Sequence, residues 1–288
     1  MKKLLLFNWL FFYFLLFLFP MRSYGSEFFF NPDPDEENMP ARLQLTVESG
    51  FLAPFAHTYQ AGRNGTRLDY VNDAGQDILF PFVRFVADVR LWERHHAVFL
   101  YQPLELRTQR SLKDSLTVSG VTFDPGETIN FKYGFPFWRA SYIYDVLQGA
   151  PWELGVGASL QLRDASIWFE NADGTKSVQK ENVGPVPALK VRLRHHVGVS
   201  FFWGFEADGM YASNKFINGA SYPFTGAIFD ASILAGFHLT PAVSVFLNLR
   251  YLGGGGEGTS KDRDNPTDDG YNRNWLNTIS VTLGVSVE

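Results

Sequence analysis

Trp152-Glu153-Leu154-Gly155-Val156-Gly157-Ala158-Ser159-Leu160-Gln161-Leu162-Arg163 is the stretch that decides the fold. Its even-numbered residues are all apolar, and its odd-numbered residues are polar or glycine. Successive side chains of a strand point to opposite faces, so this segment makes a strand with one greasy face and one polar face. The same two-sided pattern recurs along most of the chain. Leu189-Lys190-Val191-Arg192-Leu193-Arg194 places three cations on one face, and Phe205-Glu206-Ala207-Asp208 places two carboxylates on one. Aromatic residues gather near the ends of the apolar faces: Trp138, Tyr142 and Tyr144 in one segment, Phe201, Trp203, Phe205 and Tyr211 in another.

Working outward, the composition suits strands and turns, with 26 glycines, 15 prolines and 16% aromatics in 288 residues. A formal charge of -5 argues against nucleic acid as a partner. Cysteine is absent, which excludes disulfides, thiolate metal sites, a cysteine nucleophile and a lipidated cysteine. Lys2 and Lys3 precede an apolar run from Leu4 to Pro20, followed by the small-residue site Ser23-Tyr24-Gly25. Residues 1–25 are therefore expected to be a signal peptide for the Sec pathway, with an uncleaved anchor as the competing possibility. No later stretch has the ~18 uninterrupted apolar residues of a membrane helix. Asn31-Pro32-Asp33-Pro34-Asp35-Glu36-Glu37 is too charged and proline-rich to join a sheet. Residues 26–40 are expected to form a solvated periplasmic lead-in rather than a calcium site.

From Ala41 onward about ten segments have strand patterning, near 41–55, 77–92, 96–110, 127–146, 151–169, 186–195, 198–212, 226–239, 242–253 and 274–287. Tight connectors at 92–95, 147–150, 194–197 and 239–241 alternate with long polar ones near 56–76, 110–126, 170–185, 213–225 and 254–273. Alternating short and long connections, an even strand count and aromatic girdles are the marks of a transmembrane barrel. The expectation is an all-β chain whose residues 41–288 form an antiparallel up-and-down β-barrel in the bacterial outer membrane. Ten strands are favoured; eight and twelve stay open, because Ser115–Phe123 also has strand character. A soluble antiparallel sandwich is the alternative, since period two alone does not say which face is wet.

Placing the apolar face against lipid sends the other face inward. The expected lumen set is Arg84, Asp88, Arg90, Glu105, Arg107, Arg139, Asp145, Glu153, Arg163, Lys190, Arg192, Arg194, Glu206, Asp208, Asp230, His238 and Arg250. Charges of both signs in a narrow barrel are expected to pair and largely fill it, because unpaired buried charge is costly and wide pores need about sixteen strands. On this face assignment Val191→Arg blocks assembly and Arg192→Ala does not.

Chemistry-bearing motifs are sparse. Arg94-His95-His96 and Arg194-His195-His196 each follow a related strand and sit at an expected tight turn, where polar turn residues are a simpler explanation than a metal site. His57 lies near Asp69, Asp73 and Asp77, while Asp262, Asp264, Asp268 and Asp269 fall in the last long connection. In size and loop plan the chain resembles the omptin outer-membrane proteases. It lacks their pattern of an Asp-x-Asp pair on a strand end with a later Asp-x-His; Asp262-Arg263-Asp264 has the spacing but sits in a Gly- and Asp-rich loop. Ser232 and His238 share a face without a hydrolase motif, and Gly253–Gly258 lacks the Lys-Ser/Thr ending of a phosphate loop. The glycine run is expected to be a strand leaving the membrane into a mobile loop, and Asn64-Gly65-Thr66 to be a turn. No catalytic residue, cofactor or metal is assigned.

The last segment, Ile279 to Glu288, alternates to its end and resembles the carboxyl-terminal strand that barrel-assembly machinery recognises. It departs from that pattern in ending Val287-Glu288 instead of on an aromatic. The general resemblance is to small bacterial outer-membrane barrel proteins of the porin-like superfamily. It implies outer-membrane lipid, lipopolysaccharide and the assembly machinery as partners. A non-enzymatic barrel with a filled lumen, serving envelope integrity or surface interaction, is the leading expectation. A narrow channel for small polar solutes and a rim hydrolase acting on peptides or lipid A are the alternatives.

Overall fold

The computed structural model describes residues 41–149, 151–214, 223–259 and 269–288. The expected signal segment, the lead-in and Asp262, Asp264 and Asp268 lie outside the described residues. In chain order the strands are β1 (Ala41–Ala61), β2 (Leu68–Asp69), β3 (Phe80–Leu91), β4 (His95–Gln102), β5 (Glu105–Ser111), β6 (Leu116–Val118), β7 (Val121–Phe123) and β8 (Thr128–Gly134). They continue as β9 (Phe137–Leu147), β10 (Trp152–Asn171), β11 (Ser177–Val197), β12 (Phe201–Ser213), β13 (Phe224–Thr240), β14 (Val243–Thr259) and β15 (Tyr271–Val287).

Ten of these strands, β1, β3, β4 and β9 to β15, form a closed antiparallel barrel. The first strand pairs with the last, from Leu45↔Val287 to Ala61↔Asn272. Pairing of β10 with β11 completes the ring. Closure leaves no open sheet edge for lipid to meet from Leu189 down to the short turns. Ser115–Phe123 does not add a wall strand. It forms the small β6–β7 hairpin at the tip of the β5–β8 extension, which stands on β10 through Ser166↔Gly134 to Asn171↔Ile129.

Several strands outrun their expected ends. β1 continues to Ala61, β11 begins at Ser177 after a tight turn with Gly174 at φ 74°, and β14 carries the glycine run on to Thr259. Gly253 to Gly258 is thus laddered to β13 and β15, not a free loop. Glycine costs a strand side-chain packing, but neighbours on both sides hold this stretch extended.

Between the rims, the outward face is apolar. Leu45, Phe51, Leu160, Ile233, Leu247 and Val281 are all exposed. Aromatic contacts mark both margins of this band. Near the short turns Trp152 lies 4.0 Å from His195 and 5.6 Å from Trp203, ring to ring. Towards the long loops Tyr101 stacks on Trp138 at 4.1 Å, and Tyr251 lies 6.0 Å from Phe229. An exposed apolar belt of this extent between aromatic girdles is a lipid-facing surface.

Beyond the long-loop girdle the polarity of the sheet inverts while its geometry does not. On β10 the outward residues change from Ala158, Leu160 and Leu162 to Asp164, Ser166, Trp168 and Glu170, polar but for the one tryptophan. The inward ones change from Gly157, Ser159 and Gln161 to Ala165, Ile167 and Phe169. The switch falls at Arg163-Asp164, with no bulge between them. Water replaces lipid outside at this height, so the strand extensions pack as a soluble sheet does, apolar side in. Leu106, Phe131, Phe169 and Tyr70 are buried there in one cluster with Leu52 and Phe137.

Candidate functional site: the barrel lumen

Inward positions of the wall strands bring ten of the expected charges together. Asp230 on β13 accepts from Arg84 on β3 at 3.2 Å, Arg139 on β9 at 2.8 Å and Arg250 on β14 at 2.7 Å. Arg139 also reaches Asp208 on β12 at 3.0 Å, and Asp208 pairs with Lys190 on β11 at 2.9 Å. Glu206 stands 3.8 Å from the same lysine. Nearer the short turns, Arg192 lies 2.7 Å from Asp88 and 3.4 Å from Asp145. Around the ring β13 stands four strands from both β3 and β9, and β11 stands four from β3. The pairs between these strands therefore cross the lumen instead of running along one wall.

Glu48 and His96 belong to the same network, although neither is in the sequence-derived set. Glu48 is buried on β1, 3.9 Å from Arg84 and 3.5 Å from Arg250, and accepts from Asn248 at 2.7 Å and Thr282 at 2.8 Å. His96 is not a turn residue. It faces inward on β4, its Nδ1 2.8 Å from Asp88 and its Nε2 2.9 Å from Asp145, while His95 points outward to Tyr142 and Tyr144. The signal for Glu48 is present in Gln44, Thr46 and Glu48, polar residues spaced two apart.

The remaining expected lumen residues have other settings. Glu105 and Arg107 pair with each other on the exposed outer face of β5, while Leu106 between them is buried. They lie above the girdle, where the sheet shows its polar face to water. The hydrogen bond from Arg107, with the charge of nearby Lys132, holds the Glu105 carboxyl below its ordinary range. Arg90 and Arg194 are half-buried towards the short-turn rim, with no carboxylate within 4.0 Å among the described residues. Glu153 lies 3.7 Å from His196. His238 meets Ser244 Oγ at 2.8 Å, not Ser232. Arg163 faces inward at the level of the polarity switch and donates to Asn182 at 3.2 Å.

Above the ionic tier, rings from β1, β8, β10 and Tyr70 fill one side of the lumen. His57 is fully buried on β1, stacked on Tyr70 at 4.3 Å and edge-on to Tyr133 at 4.3 Å, with its Nδ1 2.7 Å from Gln76. Tyr59, Phe131 and Phe169 surround this group. This apolar cluster lies beside the charge pairs, in addition to the charge-paired filling expected from the sequence. Among the described residues the histidine–carboxylate pairs are those of His96 and His196, both in the short-turn half of the lumen. No group of three or more metal-ligating side chains occurs among the described residues.

The closed barrel has a counterpart among solved structures. The outer membrane protease OmpT from Escherichia coli superposes with a TM-score of 0.58 at 10% identity, covering 86% of this chain and 97% of that one. The chain has the fold of an outer-membrane β-barrel. Neisserial surface protein A matches with a TM-score of 0.32 at 12% identity, over 86% of this chain and 99% of its own. Ail of Yersinia pestis matches with a TM-score of 0.33 at 10% identity, over 85% and 99%. No protein-family model matches the chain, and no curated protein matches it by sequence.

Proposed function

We propose that this is an integral barrel of the bacterial outer membrane with a sealed lumen, acting through its long-loop end at the cell surface and not as a pore. The observation that carries this is Arg139, 1% exposed, held between Asp208 and Asp230 from the other side of the barrel. Opening a path for solute there means separating three buried ions, and each unpaired charge left in the lumen costs several kcal/mol, ~3–5. The ring cluster above this tier fills one side of the lumen with apolar surface. Outer-membrane lipid and lipopolysaccharide are the surroundings that the exposed apolar belt fits, and the β15 strand is the element offered to the assembly machinery. Export by the Sec pathway follows from the amino-terminal segment read in the sequence.

Planar-bilayer recording tests the proposal, with folding of each sample verified by heat-modifiable gel mobility. The expected result is a silent bilayer at protein levels where a known porin conducts. Discrete, reproducible current steps would overturn the sealed lumen in favour of a channel.

A further inference from the structure

The barrel wall has a seam. β11 and β12 are laddered from Leu189↔Gly209 down to Val197↔Phe201. Above Leu189, β11 continues on β10 up to Ser177, and β12 continues on β13 up to Ser213, without pairing to each other among the described residues. Pro185 and Pro187 fall in this stretch of β11. Proline has no N–H to give a ladder, and it is a device that keeps strand edges from closing. The seam begins at the long-loop girdle, because Gly209 pairs with Phe229, whose ring contacts Tyr251. Its lower end therefore faces the boundary between the outer leaflet and water.

Behind the seam lies a cavity of about 710 Å³, with Val186 on one edge and Met210 on the other. That size is within the ~300–1,000 Å³ of small-molecule sites. It exists because Gly226, Gly254, Gly256 and Gly258, all lining it on β13 and β14, carry no side chain. Arg163 projects into it from β10, where it pairs with Gly184 of β11. The buried cations of the lumen network, Arg84, Arg139, Lys190, Arg192 and Arg250, each sit on a carboxylate. Arg163 has none within 4.0 Å among the described residues; its Nη2 donates to Asn182, and its Nε is buried without a hydrogen-bond partner. The lining is mostly apolar and also holds Lys180, Glu181 and Glu257; a guanidinium with unused donors in such a cavity is a receptor for a carboxylate or similar anion.

We propose that this cavity binds an amphipathic organic anion, an acyl or aryl chain ending in a single acid group. The chain enters through the β11–β12 seam from the outer leaflet, lies against the glycine wall and places its acid on Arg163.

The test uses 11-(dansylamino)undecanoic acid and its methyl ester, titrated into the full chain in lipid nanodiscs, with empty nanodiscs as the blank. Saturable binding of the acid is expected. Arg163→Gln should weaken the acid at least tenfold and change the ester less than twofold. Gly256→Leu should abolish binding of both, and a Cβ at this position meets nothing closer than 3.4 Å, so the barrel has room to fold with it. The absence of native cysteine allows Val186→Cys and Ala212→Cys to be bridged across the seam by a bis-maleimide; bridging should slow association at least tenfold. No saturable signal above the blank, or equal affinity of wild type and Arg163→Gln for the acid, overturns the site. An unchanged association rate after bridging overturns entry from the leaflet and assigns uptake to the aqueous rim.

Discussion

Arg192 on β11 lies 2.7 Å from Oδ2 of Asp88 on β3, and Oδ1 of the same carboxylate lies 2.8 Å from Nδ1 of His96 on β4. One aspartate thus ties together strands from two sides of the lumen. Asp145, at 2.9 Å from His96 Nε2 and 3.4 Å from Arg192, closes the group into a ring of four. This arrangement changes what the Arg192→Ala substitution should do. Face assignment alone makes it harmless. With its partners known, removing the guanidinium leaves two buried carboxylates sharing one histidine, at a cost of about 3–5 kcal/mol. Urea titration of the folded fraction in vesicles should show that loss. The double variant Arg192→Gln with Asp88→Asn should lose less than the sum of its single variants, because neither charge is then stranded.

Val191, next in sequence, points outward into the apolar belt. Val191→Arg places a cation against hydrocarbon, with an expected cost of about 2–4 kcal/mol near the middle of the membrane. Assembly in vivo, read as the heat-modifiable folded fraction, should fall well below that of Val191→Leu. Equal yields from the two variants would show that this position does not meet lipid.

Gly284 on β15 lies under the ring of Phe246 on β14, and an added Cβ would come within 2.2 Å of that ring. Phe246 is buried with Phe202 and Leu234 in the short-turn half of the lumen. Gly284→Val should therefore destabilise by about 1–3 kcal/mol through overpacking. Adding Phe246→Leu should restore part of the loss, a coupling that urea midpoints of the four-member cycle will reveal.

The turn between β3 and β4 places Trp92 at φ 46° and Glu93 at φ 65°, a left-handed conformation that glycine accepts without strain. Glu93→Gly should stabilise the barrel by about 1 kcal/mol, since the left-handed region costs a residue with a Cβ roughly that much. A higher urea midpoint for this variant is the expected measurement. Trp92 is 70% exposed at the girdle, so its replacement also removes an interfacial anchor and is not the cleaner test.

Much of the barrel is legible in residue order. The alternation through Trp152–Arg163 is strong enough to place β10 and its outward face, and the short connectors near 92–95 and 147–150 fix the β3–β4 and β9–β10 hairpins. The parity of β4 and β5 is harder. His96, Val98, Leu100, Gln102, Leu104 and Leu106 are all buried, so polarity alone misplaces Glu105 and Arg107. The signal that corrects them is the change of phase at Arg163-Asp164, where Leu160 and Leu162 give way to Ala165, Ile167 and Phe169. An apolar pattern that swaps faces without a bulge marks the height at which lipid outside the sheet yields to water. The glycine run reads as a loop for a related reason: glycine lowers the strand signal of its own segment, and only the flanking β13 and β15 hold it in the wall.

By itself, the order of residues pointed to an antiparallel barrel, favoured ten strands over eight or twelve and assigned the apolar face to hydrocarbon, because a period of two and the lengths of connectors are local properties. Tertiary structure alone decided which charges meet across the lumen, that aromatic rings fill one side of its upper half, and that β11 and β12 part above Leu189. Those contacts join residues far apart in the chain, and their distances depend on how the closed sheet curves, which no local pattern encodes.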